Sequence, residues 1–185
     1  MWAENKWIFD KEMRFLDKEP IEGNKVCFTS IHRSGNTFMR QYLEMLTGVA
    51  TGGDVKFNIS SILQFLGSKG EEHLDDAVWI VKSHTPWAKA DSPLWTANKV
   101  MCIVRNPMDV IVSYLHRKSL QNHSQVAEFV YPEVYPKWWD WWVKLMADRL
   151  SQWYERLLFD AKVGKVPFYF VRFEDLSVNP KPILE

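Results

Sequence analysis

Four short β-rich runs, spaced by helix-length segments, constrain this chain more than any other feature. They are KVCFTS (Lys25 to Ser30), AVWIVKS (Ala77 to Ser83), KVMCIV (Lys99 to Val104) and FYFVRF (Phe168 to Phe173). After the first, Thr37 to Thr47 has helical spacing, with Phe38, Tyr42, Met45 and Leu46 on one side and Gly48 as a stop. After the third, Asn106-Pro107 opens a helix that runs to about Lys118. Proline suits its first turn and Asp109 suits its positive end. A longer helix covers about Lys137 to Ala161, with an apolar stripe of Trp138, Trp142, Leu145, Met146, Trp153 and Leu157. Arg149 interrupts that stripe, and a snorkelling side chain is slightly preferred to a polar group aimed into a pocket. Residues 49–75 read as loop, a short helix around Ile59 to Leu66, then loop; residues 119–136 read as a polar surface loop. Strands alternating with helices imply βαβ units, an α/β fold and a mostly parallel sheet. KVMCIV is apolar throughout and is expected at the centre of that sheet.

The chain has 185 residues, which suggests one domain with a real core. Lys+Arg and Asp+Glu are equal at 23 each, so nothing in the net charge supports a nucleic-acid or membrane surface. Any anion site must therefore be local. The N-terminus lacks a signal-peptide core and no run approaches the ~20 apolar residues of a membrane span, so the expected compartment is cytoplasmic. Cys27 and Cys102 fall in strand-like runs and read as free buried thiols in a reducing compartment. Ten tryptophans call for broad aromatic surfaces, in the core or around a ligand.

In open α/β sheets, ligands bind beyond the carboxyl ends of the strands. That rule gathers three segments. The first is TSIHRSGNTF, Thr29 to Phe38. A strand turning into a helix N-terminus points backbone N–H groups and dipole charge at one spot. Gly35 permits close approach, Ser34, Asn36 and Thr37 add donors, and Arg33 adds charge. The pattern is not G-x-x-x-x-G-K-[ST], and on this loop alone an anion cradle and an ordinary polar turn are evenly balanced. The second is Lys82-Ser83-His84. Lysine and histidine two apart on a strand share a side; the histidine suits a general base and the lysine suits charge stabilisation. The third is Arg105 to Ser113, an arginine directly after a strand with a serine eight residues on, both suited to phosphate.

Together these segments resemble the sulfotransferase family, α/β enzymes with a three-layer, P-loop-NTPase-like architecture. RSGNTF (Arg33 to Phe38) is similar to the family's K-S-G-T-T-W loop, Lys82-Ser83-His84 to its K-x-H, and Arg105 to Tyr114 to its R-N-P-x-D-x-x-x-S-Y motif without a gap. FVRFEDLSVNP resembles its Y-E-D-L-x-x-x-P stretch. The resemblance implies 3′-phosphoadenosine 5′-phosphosulfate (PAPS) as co-substrate. It implies His84, Lys82 and Arg33 in catalysis, and Arg33, Ser34, Gly35, Asn36, Thr37, Phe38, Arg105, Ser113 and Phe173 in binding it, with no metal. Arg33 replaces lysine, Phe38 a tryptophan and Phe173 a tyrosine; Arg149 falls near a position where many relatives carry histidine. Relatives continue to an R-K-G segment that closes over the 3′-phosphate, so residues 1–185 are expected to be one C-terminally truncated domain. The expected partners are a small-molecule or glycan acceptor, with no nucleic acid, no membrane and a homodimer possible. Two alternatives stand beside transfer: a non-catalytic nucleotide-binding remnant, and a P-loop phosphotransferase using ATP and Mg²⁺. Trp87, Trp95, Trp138, Trp139, Trp141 and Trp142 suggest an aromatic acceptor pocket, although tryptophans at helical spacing are more often core.

Overall fold

The computed structural model describes residues 13–16, 25–54, 68–84, 97–120, 131–164 and 166–185. Strand β1 (Val26–Ser30) leads into helix α1 (Asn36–Thr47). Then come β2 (Gly52–Gly53), β3 (Ile80–Ser83), β4 (Lys99–Val104), α2 (Pro107–Leu120), α3 (Tyr131–Val134), α4 (Pro136–Val163), β5 (Phe168–Arg172), α5 (Phe173–Val178) and α6 (Lys181–Leu184). The five strands form one sheet in the order β2-β3-β1-β4-β5. Every pairing is parallel.

Two apolar cores flank the sheet. Adjacent residues of a strand face opposite sides, and Cys102 and Ile103 divide accordingly. Cys102 joins Val110, Ile111 and Leu115 of α2 and Trp142, Met146, Leu150, Trp153 and Leu157 of α4. Ile103 joins Phe28, Met39 and Leu43 of α1, Ile80, Val171 and Leu176. The result is a three-layer α/β architecture. Cys27 and Cys102 are free thiols, and burial pushes both up to about 12, so neither is a nucleophile at neutral pH.

Several local expectations change. The centre of the sheet is β1, paired to β3 and β4, whereas Lys99 at the start of β4 is exposed. An apolar run reports burial but not strand order. Gly52 and Gly53, expected in a loop, form a short strand against Val81 and Lys82. A Cβ at Gly52 would meet the His73 carbonyl oxygen at 2.1 Å, and one at Gly53 would meet Glu71 Oε2 at 2.0 Å. The glycines are there for close approach rather than for a turn. Strand β3 begins only at Ile80, because Val78 N donates to the Asp75 carbonyl in a turn. Helix α2 runs on to Leu120, and Tyr131–Val134 form a helical turn inside the expected loop. Phe173 opens α5 rather than ending β5. On α4 the buried stripe passes through Leu150, while Trp138 is exposed. The helix expected at Ile59 to Leu66, and Trp87 and Trp95, lie outside the described residues. Among the described residues, no helix is long and apolar enough to cross a membrane.

Candidate active site

The tips of β1, β3 and β4 meet at the carboxyl edge of the sheet, because the three strands are neighbours and parallel. Beyond Ser30 the chain turns through Arg33, with φ of 72°, and Gly35, with φ of 88°, before α1 begins at Asn36. Left-handed backbone is uncommon outside glycine. At Arg33 two contacts hold it: Nε donates to Ser113 Oγ at 2.9 Å, and the carbonyl accepts from Arg105 Nη1 at 2.7 Å. At Gly35 the requirement is also spatial, since a Cβ would lie 2.3 Å from Phe173 Cδ2. Gly35 is the cap residue of α1 and gives it no side-chain bond. The first N–H groups of a helix have no intrahelical acceptor, so α1 presents an uncapped positive end to the loop.

Arg105, Arg33, Ser113, Gly35 and Phe173 are thus joined in one cluster, although they span three motifs. Arg105 also stacks its guanidinium 4.4 Å over the Phe173 ring. Phe38 packs edge-on against Phe173 and Tyr42, with centroids 6.2 and 4.9 Å away. Among the described residues, Ser34 Oγ, Asn36 Oδ1 and Arg105 Nε are buried with no hydrogen-bond partner. Orphaned polar atoms of that kind are rare in folded proteins. Asn36 Nδ2, by contrast, donates to Ser30 Oγ at 3.0 Å. Thr37 is exposed at the helix start. Burial, and then the cations Arg117 and Arg105, lower the Arg33 guanidinium from its ordinary value. Three positive groups near a helix N-terminus, beside the orphaned Ser34 hydroxyl and Arg105 Nε–H, fit an oxyanion with several acceptor oxygens.

The tip of β3 carries the other two candidates, and they go different ways. His84 Nδ1 lies 2.7 Å from the Ser30 carbonyl oxygen. That carbonyl can only accept, which assigns the proton to Nδ1 and leaves Nε2 as the basic nitrogen. The His84 ring stacks on His32 with centroids 3.8 Å apart. Burial first, then His32, Lys82 and Arg117, push His84 down to about 3, against the opposing bond to Ser30. It is neutral at pH 7. Lys82 is buried, with Nζ 4.0 Å from Glu71 Oε1, beneath the strand tip rather than at its rim.

Helix α4 braces two of the three tips with successive residues. Trp153 Nε1 donates to the His84 carbonyl and Tyr154 Oη to the Arg105 carbonyl, each at 3.4 Å. Glu174 Oε1 accepts from the Asn106 N–H at 2.8 Å, tying α5 to the start of α2. Sequence reasoning passed over Arg117, His32 and Glu71. Arg117 was findable, since it follows Ser113 by four residues and so shares its helix face. His32 stood in the loop segment without an assigned role, whereas Glu71 belongs to no pattern and only the fold brings it here.

The family profile for the sulfotransferase domain matches residues 24–185. The chain belongs to that family. Its α/β sheet of five parallel strands with flanking helices is consistent with the sulfotransferase fold. The sulfotransferase domain is also similar to the WSCD family member CG9164 of Drosophila melanogaster, at 28% identity over 127 residues. That alignment covers 69% of this chain and 37% of the relative, so the matched part spans well under half the length of that protein.

Proposed function

We propose that this domain binds 3′-phosphoadenosine 5′-phosphosulfate and transfers its sulfuryl group to a hydroxyl or amine of a small-molecule or glycan acceptor. The observation that carries the reading is the linked set Arg105–Arg33–Ser113 around an uncapped helix N-terminus with a buried, orphaned Ser34 Oγ. Ser34, Asn36 and the first N–H groups of α1 would hold the 5′-phosphosulfate. Arg105 and Ser113 would hold the 3′-phosphate, and Phe38 and Phe173 would face the adenine. The donor supplies the sulfuryl group. The residues supply the rest. His84 Nε2 takes the proton as the acceptor oxygen or nitrogen bonds to sulfur. The S–O bond to phosphate breaks, and the departing phosphate oxygen keeps the electron pair beside Arg33. Lys82 acts as a fixed positive charge behind the loop.

His84, pushed down to about 3, is a weak base until a dianion lies beside it and raises it. That observation favours one second reading, nucleotide binding without turnover. Thermal shift with 3′,5′-diphosphoadenosine against ATP-Mg²⁺, followed by labelled-sulfate transfer, separates the readings. The expected result is stabilisation by the diphosphate alone, and transfer that His84→Ala abolishes while binding persists. Stabilisation by ATP-Mg²⁺ alone would overturn the donor assignment, and full turnover in the variant would remove His84 as the base.

A further inference from the structure

Behind the loop lies a buried charge cluster of which the proposed reaction uses only Lys82. Arg40, on α1, is 2% exposed, Glu44 4%, Glu71 0% and Lys82 5%. Arg40 Nε donates to Thr51 Oγ1 at 2.7 Å and Nη2 to the Thr51 carbonyl at 2.8 Å, while Nη1 is ion-paired with Glu71 Oε1. Glu44 Oε1 accepts from Thr51 N at 2.9 Å and from Thr51 Oγ1 at 2.6 Å. Lys82 Nζ approaches the same Glu71 oxygen that Arg40 uses. The backbone is shaped for this carboxylate, since any side chain at Gly53 would overlap Glu71 Oε2. Buried ions need close partners, and removing one member of such a set leaves the others uncompensated.

We propose that Glu71 is a positioning residue: its carboxylate holds the Lys82 ammonium under the anion loop and, through Arg40, locks it to the helix that opens on that loop. The inference rests on the sulfuryl-transfer reading, in which Lys82 must carry positive charge. The groups facing Lys82 set what happens when Glu71 is neutralised. Burial is the largest influence and disfavours the ammonium; Glu71 and Asp54 favour it; Arg40 and Arg117 oppose it. His84, two residues on, feels the Lys82 charge. Asp54 is itself raised from the ordinary carboxylate range by burial, and its N–H donates to the Lys82 carbonyl at 3.1 Å. Without the Glu71 charge, Lys82 gives up its proton at lower pH.

The test compares wild type with Glu71→Gln. An amine-reactive reagent is applied across a pH series and modification of the Lys82 peptide is read by mass spectrometry. The labelling midpoint should fall by about one pH unit or more, as expected for loss of an opposite charge at this range. In transfer assays the alkaline limb of kcat should move down by a similar shift, with the affinity for 3′,5′-diphosphoadenosine within about threefold of wild type. A folded variant with an unchanged labelling profile overturns the proposal. If Glu71→Gln melts too low to assay, Lys82→Met/Glu71→Gln replaces it. Coupling predicts that the double variant melts above Glu71→Gln alone, and melting losses that simply add overturn the proposal. An inactive wild type whose Lys82 midpoint still responds to Glu71 would count against sulfuryl transfer, not against the coupling.

Discussion

Replacing Arg105 with alanine separates the support its side chain gives the loop from the 3′-phosphate contact proposed for it. Nη1 supports the loop through the Arg33 carbonyl at 2.7 Å, whereas Nε is buried and without a hydrogen-bond partner among the described residues. Loss of the loop bond weakens every ligand of the loop. A hydrogen bond of this kind is worth about 1 kcal/mol net, roughly fivefold in affinity. If Nε faces the 3′-phosphate as proposed, its loss affects only ligands that carry that phosphate. A charge-assisted bond there is worth about 1.5–3 kcal/mol, or roughly ten- to 150-fold. Calorimetric titration of wild type and Arg105→Ala with 3′,5′-diphosphoadenosine and with adenosine 5′-monophosphate measures both effects. The monophosphate should lose roughly fivefold, and the diphosphate should lose that factor multiplied by a further ten or more. Arg105→Lys keeps the charge without the fork and should fall between. Equal losses for the two nucleotides would refute the assignment of Arg105 to the 3′-phosphate and leave it as a support of the loop.

Two further outcomes follow from the same geometry. Gly35→Ala combines a φ of 88° with a Cβ 2.3 Å from Phe173 Cδ2. It should cost at least ~1–2 kcal/mol of stability and displace Phe173; a thermal melt within a degree of wild type would contradict the tight packing of Phe173 on the loop. His84 is held well below its ordinary 6.5, at about 3, chiefly by burial. A group depressed in the folded state stabilises above its unfolded pKa, so its contribution is lost as pH falls from about 6.5 toward 3. Urea unfolding between pH 4 and 7 should show that slope in wild type and a flatter one in His84→Gln; identical slopes would exclude His84 as a buried neutral group.

Much of the layout could be read from residues, because it rests on local chemistry. The parallel α/β class followed from strands spaced by helices, and the tight turn with close approach at Gly35 followed from its place between a strand and a helix; the positive φ at Arg33 did not. What escaped the reading depended on long-range pairing. Gly52-Gly53 look like a turn until β3 is beside them and Glu71 lies across them. KVMCIV has the composition of a central strand, yet VCFTS takes that place, since order in a sheet is a property of crossovers. Alternation predicts Lys82 on one strand face with His84, but Lys82 approaches Glu71, eleven residues away in sequence and inside no motif, while His84 lies past the end of β3 against Ser30 and His32.

Trp153 and Tyr154 are consecutive on α4, and each grips a different strand tip. The separation between the His84 and Arg105 backbones is therefore gauged by neighbouring residues of one helix. Remodelling the exposed tryptophans near the start of that helix, Trp138 and Trp141, can alter what approaches the domain while this gauge stays fixed. Surface variation and the spacing of two strand tips thereby fall to different turns of one element.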